Sequence, residues 1–342
     1  MRVAVVDLAS TRPVWSVPDA TVAAVRRAFG RGWTVRPVTA LASSDGDGAT
    51  GSSAAIAAAV GAEVYVGWGV PPDVAKAAGT TLRWAHTAAA GVGASITPAL
   101  RSTGATLTNS AGVHAEPVAD WALAAIAFCL RGFHHAVRAQ TARHWAKAAF
   151  TDGSVPVREL AGTRVGLLGL GGIGRAVARR CAALGMRVAA VRRHPRRARP
   201  RGVTWVRGTD QLAALAARSD VLVLAAPHTR DTRGVVNAAV LRALPRGACV
   251  INVSRGELLD ETALRAALDD GHVAACALDV FQREPLPADA AWWDHPRVLV
   301  FPHASGVSDR FWVRETALLV DNIRRYRDGR RLKNVVNLDL GY

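Results

Sequence analysis

The stretch "RVGLLGLGGIGRAVARRCAALGMRVAAVRR", residues 164–193, decides how this chain folds. Its first five residues form a short apolar run that reads as a β-strand. Gly169, Gly171 and Gly174 follow in a G-x-G-x-x-G pattern, with Gly172 and Ile173 between the last two. An amphipathic helical pattern comes next, and residues 187–191 read as a second strand. A glycine triplet placed between a strand and a helix has a mechanical reading. Gly169 allows a tight turn, Gly171 lets the backbone approach a pyrophosphate, and Gly174 lets helix and strand close together. The helix start then offers unpaired N–H groups and a positive dipole end to phosphate oxygens. This is the pattern of a dinucleotide-binding βαβ unit.

The residue after the second strand reports on the dinucleotide. A carboxylate there accepts from ribose hydroxyls; this chain has Arg192, eighteen residues after Gly174, and then Arg193. A guanidinium cannot accept from a hydroxyl, but it pairs with a 2′-phosphate and stacks on adenine. The expected cofactor is therefore NADP(H) in preference to NAD(H), with NAD(H) possible. The later arginines of the run, Arg196 to Arg201, read as solvated loop.

Working outward, short apolar runs alternate with helical patterns along the whole chain. Strands are predicted at 2–8, 34–38, 62–68, 82–88 and 105–109, with helices at 20–29, 53–60 and 72–78. A Gly/Ser/Asp loop is predicted at 42–53 and a long helix at 117–142. A second series follows, with strands at 164–168, 187–191, 221–225, 248–253, 274–278 and 298–301, then a helix at 309–327. Alternation of this kind builds parallel sheets with helices on both faces. The expected fold class is α/β, with two doubly wound parallel-sheet domains: a Rossmann dinucleotide-binding domain and a flavodoxin-like domain, with a cleft between. The expected boundaries are 113–306 for the Rossmann domain and 1–112 plus 307–342 for the other, because the tail is too short to stand alone.

Composition limits the function classes. The chain has 342 residues, half of them hydrophobic and a fifth charged, which suits packed domains rather than disorder. Its net charge of +16 invites a polyanionic partner, yet only Lys76, Lys147 and Lys333 are lysine among 43 basic residues. Arginine spread over the whole length reads as compositional bias, so no nucleic-acid partner is expected. Cys129, Cys181, Cys249 and Cys276 are far apart without a C-x-x-C pair, which argues against zinc and disulfides and for a cytoplasmic location. The longest apolar run, residues 121–130, is too short to span a bilayer, so no membrane role is expected.

Three downstream stretches carry chemistry. "CVINVSRGELLDETAL" puts Val253 at a strand end and Arg255 just beyond it. "ALDVFQREPLP" puts Asp279 at the next strand end and Glu284 five residues on, and "VLVFPHASG" puts His303 after the last strand. In an open parallel sheet these carboxyl ends face the ligand crevice. Arginine, glutamate and histidine together suit carbonyl reduction. The arginine binds a carboxylate and polarises a carbonyl. The histidine donates a proton as hydride arrives, and a carboxylate on its other nitrogen fixes the tautomer.

With these residues in place, the chain resembles the D-isomer-specific 2-hydroxyacid dehydrogenase family over nearly its whole length. The resemblance rests on "LGLGGIG", "SDVLVLAAPHTRDTRGVVN", "INVSRGELLDETAL", "ALDVFQREPLP" and "PHASG". Weaker support comes from "LRWAHTAAAGV", "LTNSAGVHAEPVADWAL" and "LKNVVNLDLGY". It implies that His303 is the proton donor and acceptor, Glu284 its partner, and Arg255 the residue that orients a 2-oxo acid. It also implies that Asp279 and Val253 lie against the cofactor, that Asp279 holds the nicotinamide carboxamide, and that N–H groups around Ala90, Gly91 and Val92 take the substrate carboxylate. A homodimer formed through the 117–142 helix is implied as well. Two departures stand out: Arg192 replaces the usual acid, and Gly93 stands where many relatives have aspartate. Glu284 as a carboxylate rather than an amide argues against a formate dehydrogenase.

The expected function is hydride transfer between NAD(P)H and a small 2-oxo or D-2-hydroxy acid, of the glyoxylate/hydroxypyruvate reductase kind. The alternatives are an NAD-dependent dehydrogenase of the phosphoglycerate type and a corepressor-like dinucleotide-sensing binding protein.

Overall fold

A computed structural model describes residues 2–40 and 50–341. Most of the predicted Gly/Ser/Asp loop, residues 42–49, lies outside the described residues. The chain divides into two compact units, Met1–His114 with Val307–Tyr342, and Ala115–Gly306.

The first unit is built from β1 (Arg2–Asp7), α1 (Asp19–Phe29), β2 (Trp33–Pro37), α2 (Ser53–Ala59), β3 (Val64–Gly67), α3 (Pro72–Ala78), β4 (Trp84–Thr87), α4 (Pro98–Thr103) and β5 (Thr106–Asn109). Its five parallel strands are ordered β2-β1-β3-β4-β5. That is the flavodoxin-like order, which places a ligand crevice at the carboxyl ends of β1, β3 and β4. The inner strands β3 and β4 are buried at every position, as a sheet covered on both faces requires. One face is closed by the apolar sides of α2, α3 and α4 with Tyr65, Leu82, Leu100 and Leu107.

The second unit begins with α5 (Ala115–Leu130), α6 (Phe133–Thr141) and α7 (Lys147–Thr151). The predicted long helix is thus two helices. Gly132 adopts φ of +67°, a left-handed conformation that ends α5, and a Cβ there would sit 2.7 Å from the Val155 side chain. The series continues with β6 (Arg164–Leu168), α8 (Gly172–Ala183), β7 (Arg187–Val191), β8 (Val203–Arg207), α9 (Leu212–Ala216), β9 (Val221–Leu224), α10 (Ala238–Ala243), β10 (Ala248–Asn252), α11 (Glu261–Asp269), β11 (Val273–Leu278) and β12 (Val298–Val300). The sheet has seven parallel strands, not six, in the order β12-β11-β10-β9-β6-β7-β8. The added strand is β8, which pairs with β7 directly after the arginine run. A dense run of arginine reads as loop and hides the short strand behind it.

The order reverses between β6 and β9, and the glycine turn lies at this switch point. Helix α5 lays its small residues Ala115, Ala119, Ala122 and Ala125 into the same core as Ala176, Val177 and Cys181 of α8. Arg180 of α8 anchors this packing, bonded to Asp120 at 2.7 Å and to Glu116 at 2.8 Å. The chain returns to the first unit with α12 (Phe311–Arg327), whose Leu319 and Ile323 pack on Val25, Phe29 and Trp84. No helix among the described residues is long and apolar enough to cross a membrane.

Candidate active site

The dinucleotide corner begins where β6 ends. Gly169 has φ of +101°, and a Cβ there would lie 2.6 Å from the Ala225 carbonyl oxygen at the end of β9. A Cβ on Gly174 would lie 2.2 Å from the Gly169 oxygen, so the first turn of α8 touches the turn itself. At Gly171 a Cβ would meet nothing within 4 Å, leaving that face open to an approaching ligand. No side chain caps α8, and the N–H groups of its first turn, Gly172 to Gly174, have no acceptor within the helix. The cradle fits a pyrophosphate: two glycines forced by contact, one facing space, and a dipole end behind them.

Arg192 stands at the end of β7, its own N–H donating to the Arg207 carbonyl at 3.0 Å. It is 7% exposed, covered by the loop that follows. Its Nη2 donates to the carbonyls of Arg197 and of Ala198, the latter at 3.2 Å. Among the described residues its Nε and Nη1 are buried without a hydrogen-bond partner. Burial, then the charges of Arg175 and Arg197, lower its pKa from the ordinary arginine value. Like charges gathered around unsatisfied N–H donors favour a negative charge at this corner. Arg193 lines the adjacent surface recess with His194, Pro195, Arg196 and Arg197. Arg175, immediately after Gly174, was not singled out by sequence; it lies on the first turn of α8, its Nε donating to the Leu170 carbonyl at 3.3 Å.

His303 and Glu284 meet at 2.7 Å, His303 Nδ1 donating to Glu284 Oε2. Glu284 Oε1 accepts from the Phe281 N–H at 2.9 Å, which fixes the carboxylate plane. Burial pushes the Glu284 pKa up, but the hydrogen bond from His303, the Phe281 N–H and the charges of His303 and Arg255 outweigh it. The carboxyl is held below the usual glutamate range. Both side chains remain partly exposed, 45% for His303 and 35% for Glu284.

Backbone conformation aims the histidine. His303 adopts φ of +50°, a left-handed conformation that costs a residue with a Cβ about 1–2 kcal/mol. Asp279, only 2% exposed, offsets that cost. Its carbonyl accepts the His303 N–H at 2.8 Å. Its Oδ1 accepts the N–H groups of Ala304 at 2.9 Å and Ser305 at 3.1 Å, and its Oδ2 accepts the Ser305 hydroxyl. Burial raises the Asp279 pKa against the pull of those bonds. The residue expected to face the nicotinamide carboxamide directs both its oxygens to the turn that carries His303. Ser305, part of the same PHASG stretch, was missed because its partner lies 26 residues away.

Arg255 leaves β10 beside Val253, whose side chain is buried and whose N–H donates to the Leu224 carbonyl at 3.2 Å. Arg255 Nη1 donates to the Ser254 carbonyl at 2.6 Å, and Asn252 Nδ2 donates to the Arg255 carbonyl at 3.0 Å. The next residue must be glycine. A Cβ on Gly256 would lie 2.0 Å from the carbonyl carbon of Phe281 and 2.2 Å from the Gln282 nitrogen. That contact brings the Arg255 loop against the segment bearing Glu284, close enough for the Arg255 charge to lower the Glu284 pKa.

In the first unit, the turn after β4 carries the remaining expected residues. Ala90 and Gly91 are exposed and Val92 is buried. Among the described residues the N–H groups of Ala90, Gly91 and Val92 donate to no acceptor, whereas those of Ala88 and Ala89 donate to the Gly67 carbonyl and the Thr87 hydroxyl.

Residues 123–305 match the family model for the D-isomer specific 2-hydroxyacid dehydrogenase NAD-binding domain. The chain belongs to the D-isomer specific 2-hydroxyacid dehydrogenase family. Within this family it is 37% identical over 180 residues to glyoxylate/hydroxypyruvate reductase A of Yersinia enterocolitica. That match takes in 52% of this chain and 56% of the relative, so the chain spans little more than half the length of that curated relative. Likeness to solved structures runs the full length. A D-isomer specific 2-hydroxyacid dehydrogenase from Xanthobacter autotrophicus Py2, in complex with NADPH and MES, is 31% identical with a TM-score of 0.79, covering 100% of this chain and 99% of that one. An NADPH-dependent glyoxylate/hydroxypyruvate reductase from Sinorhizobium meliloti, in complex with NADP and sulfate, is 26% identical with a TM-score of 0.77, covering all of both chains. The family's Rossmann-type domain is the second unit here, with its glycine turn at Gly169 to Gly174.

Proposed function

We propose that this dehydrogenase reduces small 2-oxo acids to D-2-hydroxy acids at the expense of NADPH, as a glyoxylate/hydroxypyruvate-type reductase. The observation that carries the reading is the 2.7 Å His303–Glu284 pair on its left-handed turn, beside Arg255. The names of the relatives support the substrate class, and the unsatisfied Arg192 supports the cofactor.

When bound, the reduced nicotinamide supplies hydride to the carbonyl carbon of the substrate. His303 Nδ1 is committed to Glu284, so Nε2 is the nitrogen that holds the proton for the carbonyl oxygen. Glu284 stays ionised at neutral pH and compensates the imidazolium charge before the proton leaves. The Arg255 guanidinium grips the 2-oxo acid and draws charge onto the developing alkoxide. The N–H groups of Ala90, Gly91 and Val92 take the carboxylate, which makes Met1–His114 with Val307–Tyr342 the substrate unit. Gly169, Gly171, Gly172, Ile173 and Gly174 hold the pyrophosphate, and Arg192 with Arg193 and Arg175 reads the 2′-phosphate.

We further propose a cytoplasmic homodimer. The four cysteines are buried free thiols, which suits a reducing compartment. Phe133 and Val137 expose apolar surface on α6, within the 117–142 stretch where the family resemblance places a second copy. Analytical ultracentrifugation tests the assembly: a species of one chain's mass rejects it.

The function is tested by initial rates with NADPH and NADH against glyoxylate, hydroxypyruvate, pyruvate and branched 2-oxo acids. Turnover of glyoxylate or hydroxypyruvate with NADPH is expected. Turnover of none of these acids with either cofactor rejects the reading.

A further inference from the structure

The exposed turn at Ala90 and Gly91 has two N–H groups aimed away from the body of the first unit, and the reason lies in the carbonyls of the same peptides. In a trans peptide the C=O and the following N–H point in opposite directions. The Ala89 carbonyl accepts from the Ser110 N–H at 3.0 Å, which turns the Ala90 N–H outward. The Ala90 carbonyl accepts from Asn109 Nδ2 at 2.8 Å, which turns the Gly91 N–H outward.

Asn109, the last residue of β5, is 6% exposed and is fixed on every side. Its Oδ1 accepts from the Ala111 N–H at 3.2 Å, which sets the amide orientation so that Nδ2 faces Ala90. Its backbone is held by the far end of the chain. The Asn109 N–H donates to the Asn334 carbonyl at 3.2 Å, and Asn334 Nδ2 donates to the carbonyls of Asn109 at 3.1 Å and Ala111 at 2.8 Å. Asn334 adopts φ of +55°, a conformation asparagine tolerates better than most residues with a Cβ. The preceding residue is clamped in turn by Asn322 of α12, fully buried, which accepts the Lys333 N–H at 2.8 Å and donates to its carbonyl at 3.2 Å. Val336 N–H then donates to the Leu107 carbonyl at 2.9 Å, so the tail runs as a strap beside β5.

We propose that Asn109 and Asn334 are positioning residues for the substrate carboxylate: the tail holds Asn109, and Asn109 turns the Gly91 N–H toward the anion. The proposal rests on the reading of the 90–92 turn as the carboxylate site. Neither residue touches substrate, so their loss falls on carboxylate binding and not on cofactor binding or proton transfer.

The test compares wild-type protein with Asn109→Ala, Asn334→Gly and Gly91→Pro. It reads the glyoxylate KM and kcat, the NADPH KM, the Kd of oxamate, a carboxylate that is not reduced, on NADPH-loaded protein, and the unfolding midpoint. Glycine accepts the left-handed conformation, so Asn334→Gly removes the clamp without adding strain. Asn109→Ala is expected to raise the glyoxylate KM and the oxamate Kd about tenfold, the scale of one hydrogen bond. Asn334→Gly is expected to raise both in the same direction by less, with the NADPH KM unchanged in each. Gly91→Pro deletes one of the N–H groups and is expected to weaken oxamate at least as much. Weaker oxamate in Gly91→Pro with unchanged oxamate in folded Asn109→Ala and Asn334→Gly overturns the positioning role and leaves the reading of the turn intact. Unchanged oxamate in Gly91→Pro overturns the reading of the turn, and the positioning role with it. Should Asn109→Ala not fold, Asn334→Gly alone decides.

Discussion

Among the described residues two histidine–glutamate pairs occur, and they are opposites. In the second unit His303 meets Glu284 at 2.7 Å, with both side chains more than a third exposed. In the first unit His86 of β4 meets Glu315 of α12 at 3.0 Å, with both side chains fully buried. Both nitrogens of His86 are engaged: Nδ1 with the Thr108 hydroxyl at 2.8 Å, and Nε2 with Glu315 and with Ser110 at 3.2 Å. His303 has one nitrogen committed and one available, on a turn held in a left-handed conformation. The residue pair is the same, but only the His303 pair leaves a ring nitrogen open to a ligand. The His86 pair is a structural tie between a strand and a helix 229 residues apart in sequence. What separates a proton donor from a core contact is the ring nitrogen left open to a ligand.

Breaking each pair sharpens the contrast. His303→Asn is expected to give the largest effect, a fall in kcat of roughly 10²- to 10⁴-fold. Unfolding by urea should be little changed, and undiminished turnover removes His303 from the mechanism. Glu315→Ala should do the reverse. Removing one partner of a buried pair strands the other, so a stability loss of about 3–5 kcal/mol is expected. Among the described residues Glu315 Oε2 is buried without a hydrogen-bond partner. A denaturation midpoint close to wild type contradicts the structural assignment.

A third change moves from proton transfer to cofactor choice. Arg192→Ala is expected to raise the NADPH KM by roughly 10- to 100-fold, the value of one or two charge-assisted hydrogen bonds. The NADH KM should shift little. Equal losses for the two cofactors would mean that Arg192 supports its loop rather than reading a phosphate.

The smallest effect is in pH dependence. The folded state holds the Glu284 carboxyl below its ordinary value, so its pairing stabilises the fold fully above the unfolded glutamate pKa of about 4.3. That contribution is lost as pH falls through the depressed folded value. Urea unfolding between pH 6 and pH 3 should therefore show a steeper acid-side decline for wild type than for Glu284→Gln. Parallel curves contradict the pairing as a source of stability.

How much of this was legible in the sequence depended on distance along the chain. Gly169, Gly171 and Gly174 are diagnostic because turn, phosphate approach and helix packing fall within six consecutive residues. Glu284 and His303 lie 19 residues apart, in the segments that follow β11 and β12, so strand alternation delivered both segments to one edge. The break at Gly132 was missed because α5 and α6 share a helical pattern and one glycine between them is often tolerated. Strand β8 was missed because its five residues follow a run of arginines. The cover over Arg192 was invisible because backbone carbonyls supply it, and carbonyls carry no sequence signal.

By itself, then, the sequence determined the two-sheet α/β architecture and the glycine turn and marked Arg255, Glu284 and His303 as candidates, because short-range periodicity and local turn chemistry encode them. Only the tertiary structure decided that Asp279 anchors the His303 turn, that the histidine is left-handed, and that Asn334 holds Asn109 across 225 residues. Those are hydrogen bonds between segments distant in the chain, whose partners depend on where whole strands and helices come to rest.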